Sequence, residues 1–243
     1  MATWLISDLH LEPSRPAAIQ QLFTFLESIK GDADALYILG DFFEYWIGDD
    51  FLETPEGQQL MPIVAALRAV SDSGVPIHFM HGNRDFLVGE RFAGEIGADL
   101  LPEQCVVDLY GTPTLLMHGD ILCTDDADYQ KARGVFRDPK WQKQVLTWTI
   151  PQRLERALEM REVSQESTKL KSNAIMDVNQ GAVEAAMAEA GVLRLIHGHT
   201  HRPDVHDFEL GGETAQRVVL ADWYEKGSAL RVDGSGFEVV HSG

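Results

Sequence analysis

The chain has 243 residues, is 44% hydrophobic and carries a formal net charge of −18. That length supports one large domain with a full core and room for a small insertion. The charge argues against nonspecific nucleic-acid binding, and no apolar run approaches the roughly 20 residues of a membrane span.

Residues 3–7 form a short apolar run that reads as a strand buried on both faces. It starts almost at Met1 with no basic and apolar leader before it, so no secretory signal is expected. The run ends in Asp8-Leu9-His10. On an extended segment that spacing points both side chains one way. Ala17 to Lys30 has helical spacing, and 36–39 is a second strand-like run ending in Gly40-Asp41. A glycine there lets backbone approach an ion closely, and one carboxylate can bridge two metals. Gly57 to Ser73 reads as a helix, 77–81 as a strand ending in Gly82-Asn83-Arg84-Asp85, and Arg91 to Ile96 as another helix. The run at 114–118 ends in His118-Gly119-Asp120. Cys105 and Cys123 lie on separate segments, which suits free thiols in a reducing cytosol.

The stretch from about 124 to 172 breaks this alternation. Trp141, Val145, Leu146, Trp148, Ile150 and Leu154 follow largely helical spacing. Residues 131–171 hold ten Lys/Arg against five acids, so this stretch is +5 and the rest of the chain −23. Such asymmetry marks a segment with its own task. The expectation is a helical insertion over the strand ends. Asn179 to Ala190 then reads as a helix and 193–196 as a strand leading into His197-Gly198-His199-Thr200-His201. On an extended segment His199 and His201 would face one way, with His197 behind them. The run at 217–220 opens a Gly-punctuated stretch through Val240 that reads as antiparallel strands. Strands alternating with helices imply an α/β fold, whose strand ends usually carry the ligands.

Asp8, His10, Asp41, Asn83, His118, His199 and His201 are thus seven candidate metal ligands of carboxylate, amide and imidazole type. A hydrolytic metal site needs anionic oxygens and neutral imidazoles with a position left for water. Their order, Asp-x-His, Gly-Asp, Gly-Asn, His, Gly-His-x-His, resembles that of the calcineurin-like metallophosphoesterases. The resemblance implies a single domain over 1–243: a β-sandwich flanked by helices, with the helical cap at 124–172 inserted in it. It places Asp8, His10, Asp41 and His201 around one metal and Asp41, Asn83, His118 and His199 around the other. Mixed N/O ligation suits Mn²⁺, Fe²⁺ or Zn²⁺. One position departs: the superfamily often has His after Gly-Asn, where this chain has Arg84. Arginine cannot give up a proton near neutral pH but can clamp phosphate oxygens. That points to a leaving group needing no acid, such as a phosphate monoester.

Longer segments are similar to the UDP-2,3-diacylglucosamine hydrolases of lipid A biosynthesis. They are Leu39 through Asp50, His81 through Leu87, His118-Gly119-Asp120 with Leu122 through Asp126, Ala174 through Asn179, and Ile196 through Pro203. This resemblance implies hydrolysis of the substrate pyrophosphate to UMP and 2,3-diacylglucosamine 1-phosphate, with two Mn²⁺ per chain. Asp41, Asn83, Arg84 and His118 would be catalytic. Asn83, Arg84, Asp126, Ser164, Lys171 and His199 would meet the substrate, with Tyr129, Arg161 and Thr168 as further candidates beside the cap. Thr168 stands where relatives carry Asn. Asp126 and Ser164 read equally as helix caps. The cap aromatics could line an acyl-chain cleft or pack the insertion onto the core. The expected partners are a lipid-linked UDP-sugar and the cytoplasmic face of the inner membrane, met peripherally by a monomer that binds no nucleic acid. The rival readings are a soluble nucleotide pyrophosphatase or phosphodiesterase, and a scaffold without turnover.

Overall fold

The computed structural model describes residues 1–170, 175, 177–224 and 226–241, with side chains left aside at 163–170. Eleven strands form two sheets. The first orders its strands β11 (Gly236–His241), β10 (Ser228–Asp233), β1 (Ala2–Ile6), β2 (Ala33–Leu39), β3 (Ile77–Met80) and β4 (Ala98–Leu100). The second orders β5 (Gln104–Leu109), β6 (Thr112–Met117), β7 (Arg194–His197), β9 (Glu213–Val219) and β8 (Asp204–Leu210). Strands β1 to β4 run parallel, as do β6, β7 and β9, while β10 and β11 add antiparallel at one edge.

Strand periodicity divides the core in two. Ile6, Leu36, Ile38, Ile77 and Phe79 face helices α1 (Pro16–Ile29), α3 (Met61–Asp72) and α4 (Glu90–Ile96). Their neighbours Leu5, Leu39 and Met80 belong instead to a second cluster with Leu115, Leu116, Leu195, Ile196 and Val218 of the other sheet. Helix α8 (Gln180–Ala190) adds Val183 and Met187 to that cluster. In α1 the buried residues Ala18, Leu22, Phe25, Leu26 and Ile29 recur at helical spacing and form one stripe. The helix expected over 57–73 is two, α2 (Pro55–Gln58) and α3. Pro62 lacks the N–H that would bond back to Gln58, so the first helix stops there.

The insertion is helical as its pattern predicts: α5 (Ala127–Phe136), α6 (Pro139–Val145) and α7 (Ile150–Leu170). Trp141, Trp148, Ile150 and Leu154 are partly buried against the first core. Phe136 stacks on Phe86 at 4.9 Å and Trp141 lies 6.1 Å from the same ring. These aromatics pack the insertion onto the body of the molecule. The depression beside Trp148, about 270 Å³, is otherwise lined by Gln152, Glu155, Arg156 and Glu159.

The cap's positive charge is also used internally. Arg133 pairs with Asp120 at 2.8 Å and Glu103 at 2.9 Å, and Arg137 with Glu103 at 3.1 Å. Arg153 is buried against Asp50 and the Ile47 carbonyl. Arg161 pairs with Glu44 at 2.9 Å. So four of the ten cations meet core acids, which accounts for much of the opposite charge on the two parts.

Candidate metal centre

Every expected ligand follows the C-terminal end of a parallel strand. Asp8 and His10 follow β1, Asp41 follows β2, Asn83 follows β3, His118 follows β6, and His199 and His201 follow β7. The loops are tied to one another. Asp8 N donates to the Gly40 carbonyl at 3.1 Å, His10 N to Asp41 O at 3.0 Å, and Gly198 N to His118 O at 2.8 Å. Side chains complete the ties: His199 N donates to Asp8 Oδ2 at 2.9 Å and Arg84 N to Asp41 Oδ1 at 2.8 Å.

The loops are not extended, contrary to expectation. Asp8, His10, Asp41, His199 and His201 have φ of 57, 49, 48, 68 and 53°, and only Tyr110 joins them among described non-glycine residues. Left-handed backbone at such residues costs energy and tends to gather at functional sites. This twist, not strand alternation, aims the side chains. It also sends His199 and His201 to different places. The His199 ring lies 5.1 Å from that of His118, and the His201 ring 5.1 Å from that of His10.

Two groups of potential ligands converge, Asp8 with His10 and His201, and Asp8 with Asp41 and His118. The hydrogen-bond roles in them conflict unless positive charge intervenes. His118 Nδ1 is 2.9 Å from the Leu39 carbonyl, which can only accept, so this nitrogen donates. In the neutral ring Nε2 is then a lone pair, facing Asn83 Oδ1 at 3.0 Å and Asp41 Oδ1 at 3.6 Å. His10 Nδ1 lies 3.0 Å from Glu44 Oε2, and His201 Nδ1 lies 3.5 Å from Asp222 Oδ2. Their Nε2 atoms face each other at 3.3 Å. Asp8 Oδ1 is buried with no hydrogen bond. Acceptor against acceptor in a buried site is what a cation relieves, so the donor set fits divalent metal.

Electrostatics agree. Burial opposes charge on His201, yet Asp8 beside it pushes the imidazole up to about 9. Burial likewise opposes charge on His118, but Asp41 and Asp8 outweigh it and raise the pKa. Asp8 is held well below the usual carboxylate range, because His201, His118 and His10 overcome its burial. His199 is pushed down to about 4 by burial and by His118, which favours its neutral form. Glycine makes the crowding possible. A Cβ on Gly82 would collide with the Asp41 carboxylate and amide, and one on Gly198 with Ser7 and Asp8.

The outer residues sort as follows. Asp126 caps α5 by accepting from Tyr129 N at 3.1 Å, so its helix-cap reading holds. Tyr129 donates to Asp120 Oδ2 at 3.0 Å and its ring lies 5.7 Å from that of His199. Arg84 is partly buried, with its guanidinium acting on Glu44 and Tyr224. Arg161 sits against Glu44 rather than open to solvent. His197 is wholly buried, with Nδ1 at the Gly198 carbonyl and Nε2 at Arg217, and stands behind the ligands as expected. The side chains of Ser164 and Thr168, together with residues 171, 174 and 176, lie outside the described residues.

Sequence reasoning missed four supports. Glu44 and Asp222 face Nδ1 of His10 and of His201 at 3.0 and 3.5 Å. Buried Asp85 accepts from the amides of Gly82, Phe42 and, at 3.3 Å, Asp41. Tyr224 stacks on His10 at 5.4 Å. The Gly-Asp and Gly-Asn-Arg-Asp runs carried a signal for Asp85; the others had none.

Strand ends of a two-sheet α/β fold bearing paired carboxylate and imidazole clusters define a metal-dependent phosphoesterase. The family model for calcineurin-like phosphoesterases matches residues 1–203. Proteins named UDP-2,3-diacylglucosamine hydrolase are similar over nearly the whole length. The one from Chromohalobacter salexigens is 51% identical over 96% of this chain and 94% of its own. Those from Xanthomonas axonopodis pv. citri and Stenotrophomonas maltophilia are 49% and 47% identical, over 97% and 98% of both partners. A solved archaeal phosphodiesterase shares the fold at a TM-score of 0.50 and 11% identity, over 99% of each chain. The chain belongs to the calcineurin-like phosphoesterase family and, within it, to the UDP-2,3-diacylglucosamine hydrolases.

Proposed function

We propose that this chain hydrolyses the pyrophosphate of UDP-2,3-diacylglucosamine, giving UMP and 2,3-diacylglucosamine 1-phosphate for lipid A biosynthesis. The observation that carries the reading is the juxtaposition of carboxylate and imidazole clusters at the strand ends, in a chain 47–51% identical to hydrolases of that name. Asp8, His10, Asp41 and His201 would hold one divalent ion, and Asp41, Asn83, His118 and His199 would hold the other. Mn²⁺ suits this mixed set. The ions would neutralise phosphoryl charge and lower the pKa of the attacking water.

The chain's own residues do the rest. Asp85 fixes the loop amides that aim Asp41. The Leu39 carbonyl fixes the Nδ1 tautomer of His118, and the Glu44 carboxylate favours the same tautomer of His10 by its charge. Arg84 clamps a nonbridging pyrophosphate oxygen, bidentate if the fork permits. The leaving group is itself a phosphate monoester, so no residue is needed to protonate it. Tyr129 and Arg161 would border the headgroup, the resemblance to the family assigns Ser164 and Lys171 to it as well, and the cap would orient the acyl chains. No described helix is long and apolar enough to cross a membrane; a peripheral monomer on the cytoplasmic side of the inner membrane fits the lipid substrate.

Release of UMP from acylated and deacylated UDP-glucosamine, measured with saturating Mn²⁺, tests this. A large preference in kcat/KM for the acylated compound is expected. Equal values would favour a soluble nucleotide pyrophosphatase instead.

A further inference from the structure

Glu44 lies in the loop after β2 and is buried. Its backbone is locked to the loop that carries His10. Leu11 N donates to Phe42 O at 2.9 Å, Glu44 N donates to Leu11 O at 3.1 Å, and Leu11 and Phe43 form a parallel bridge. The two carboxylate oxygens have different partners. Oε2 is 3.0 Å from Nδ1 of His10 and Oε1 is 2.9 Å from Nε of Arg161 on α7, both close charge contacts without hydrogen-bond alignment. Arg161 also reaches Glu12 at 3.9 Å. A carboxylate this deeply buried is costly unless paired. Burial alone would raise its pKa, and His10, Arg84 and Arg161 together hold it below the ordinary value.

We propose that Glu44 is a positioning residue through which the cap sets the metal ligand His10. The inference rests on the metal reading above. A neutral imidazole has two tautomers, and the one with Nδ1–H leaves Nε2 free for a cation. The Glu44 carboxylate, 3.0 Å from Nδ1, favours the proton on that nitrogen by its charge. His10 Nε2 is then directed to the cluster shared with His201, 3.3 Å away. Arg161 holds the other oxygen of the same carboxylate, so it fixes Glu44 from the cap side. A second tie reaches the other ligand group. Arg137 donates to the carbonyls of His81 and Gly82 at 3.2 and 3.0 Å, immediately before Asn83. Seating of the cap and geometry of the ligands are therefore one mechanical unit.

This assigns Arg161 a role distinct from substrate contact, and the two separate experimentally. Mn²⁺ uptake by the full chain, without substrate, is measured from the paramagnetic signal of the free ion. Wild type is compared with Glu44→Gln, Glu44→Ala, Arg161→Ala and the double alanine variant. Outer partners of ligating histidines typically change metal affinity by about 10–100-fold. Glu44→Ala should weaken one of two Mn²⁺ ions by that order. Glu44→Gln keeps an acceptor for Nδ1 and the shape of the side chain, so it should recover part of the loss. Arg161→Ala should weaken the same ion several-fold. The double variant should be no worse than Glu44→Ala, because the arginine acts through the carboxylate. Thermal melting checks that each variant is folded, and Glu44→Gln remains informative if the alanine variant is not. Unchanged Mn²⁺ affinity in folded Glu44 variants overturns the proposal. Arg161→Ala that raises KM with Mn²⁺ affinity intact overturns the link to the cap and leaves Arg161 a substrate contact. Wild type that takes up no Mn²⁺ removes the metal reading itself, and the inference with it.

Discussion

A methyl group at Gly82 would occupy space held by the Asp41 carboxylate and its amide. Asp41 Oδ1 also accepts from Arg84 N, and the Asp41 amide faces Asp85, so neither can retreat freely. Gly82→Ala should cost stability on the overpacking scale, about 1–3 kcal/mol. It should also reduce turnover about tenfold or more by displacing the carboxylate proposed to lie between both ions. A folded Gly82→Ala chain with wild-type Mn²⁺ uptake and turnover would show that Asp41 does not need this close approach. At this scale the sequence pointed to residues that the fold brings together, but not to their geometry. Asp and His at the ends of apolar runs stand out by type and order. The left-handed backbone at Asp8, His10, Asp41, His199 and His201 does not, because nothing in those residue types demands it. Glu44 and Asp222 were equally hidden. In a chain with 38 acidic residues, a supporting carboxylate looks like any other.

Among the elements, the strands buried on both faces were legible as continuous apolar runs: β1, β2, β3, β6 and β7. The missed ones lie at or near sheet edges. β8 alternates exposed and half-buried residues, β5 does nearly the same, and β4 is three residues long. One-sided burial leaves a weaker pattern, easily taken for a loop. The cap helices were legible by spacing, but their attachment was not. Arg153 shows why. It sits 3% exposed on α7 and reaches Asp50 and the Ile47 carbonyl about a hundred residues away. Breaking a buried pair by removing one partner costs about 3–5 kcal/mol. Asp50 is half exposed, so water recovers part of it. Arg153→Ala should therefore destabilise the chain by about 2–3 kcal/mol, within the range for breaking such a network. Loss of the cap from its seat should appear as early amide exchange in α7. Exchange in α7 and a melting temperature both equal to wild type would mean that packing of Phe136 and Trp141 suffices to hold it.

Across the whole molecule, two sheets bring five loops from distant parts of the chain to one place and bury Asp8 and Asp41 there. Two carboxylates thus meet in a chain whose net charge is already −18. Without cations, these carboxylates raise the pKa values of His201 and His118 against the effect of burial. Folding therefore gathers charge that the folded state cannot relieve by itself. A ligand that binds only the native chain stabilises it by about 2.7 kcal/mol at one hundred times its Kd. For a chain of this size about 1 kcal/mol shifts Tm by roughly 2–4 °C. Chelation should thus lower Tm by about 5–10 °C, and added Mn²⁺ should restore it. Mg²⁺ at the same concentration should restore less, because imidazole nitrogens make up much of the donor set and suit Mn²⁺ better. The measurement is a melting curve on the chelated chain with each ion in turn. A Tm indifferent to both chelator and Mn²⁺ would mean that protons on His201 and His118 already balance the site, and that the clustered acceptors hold no metal.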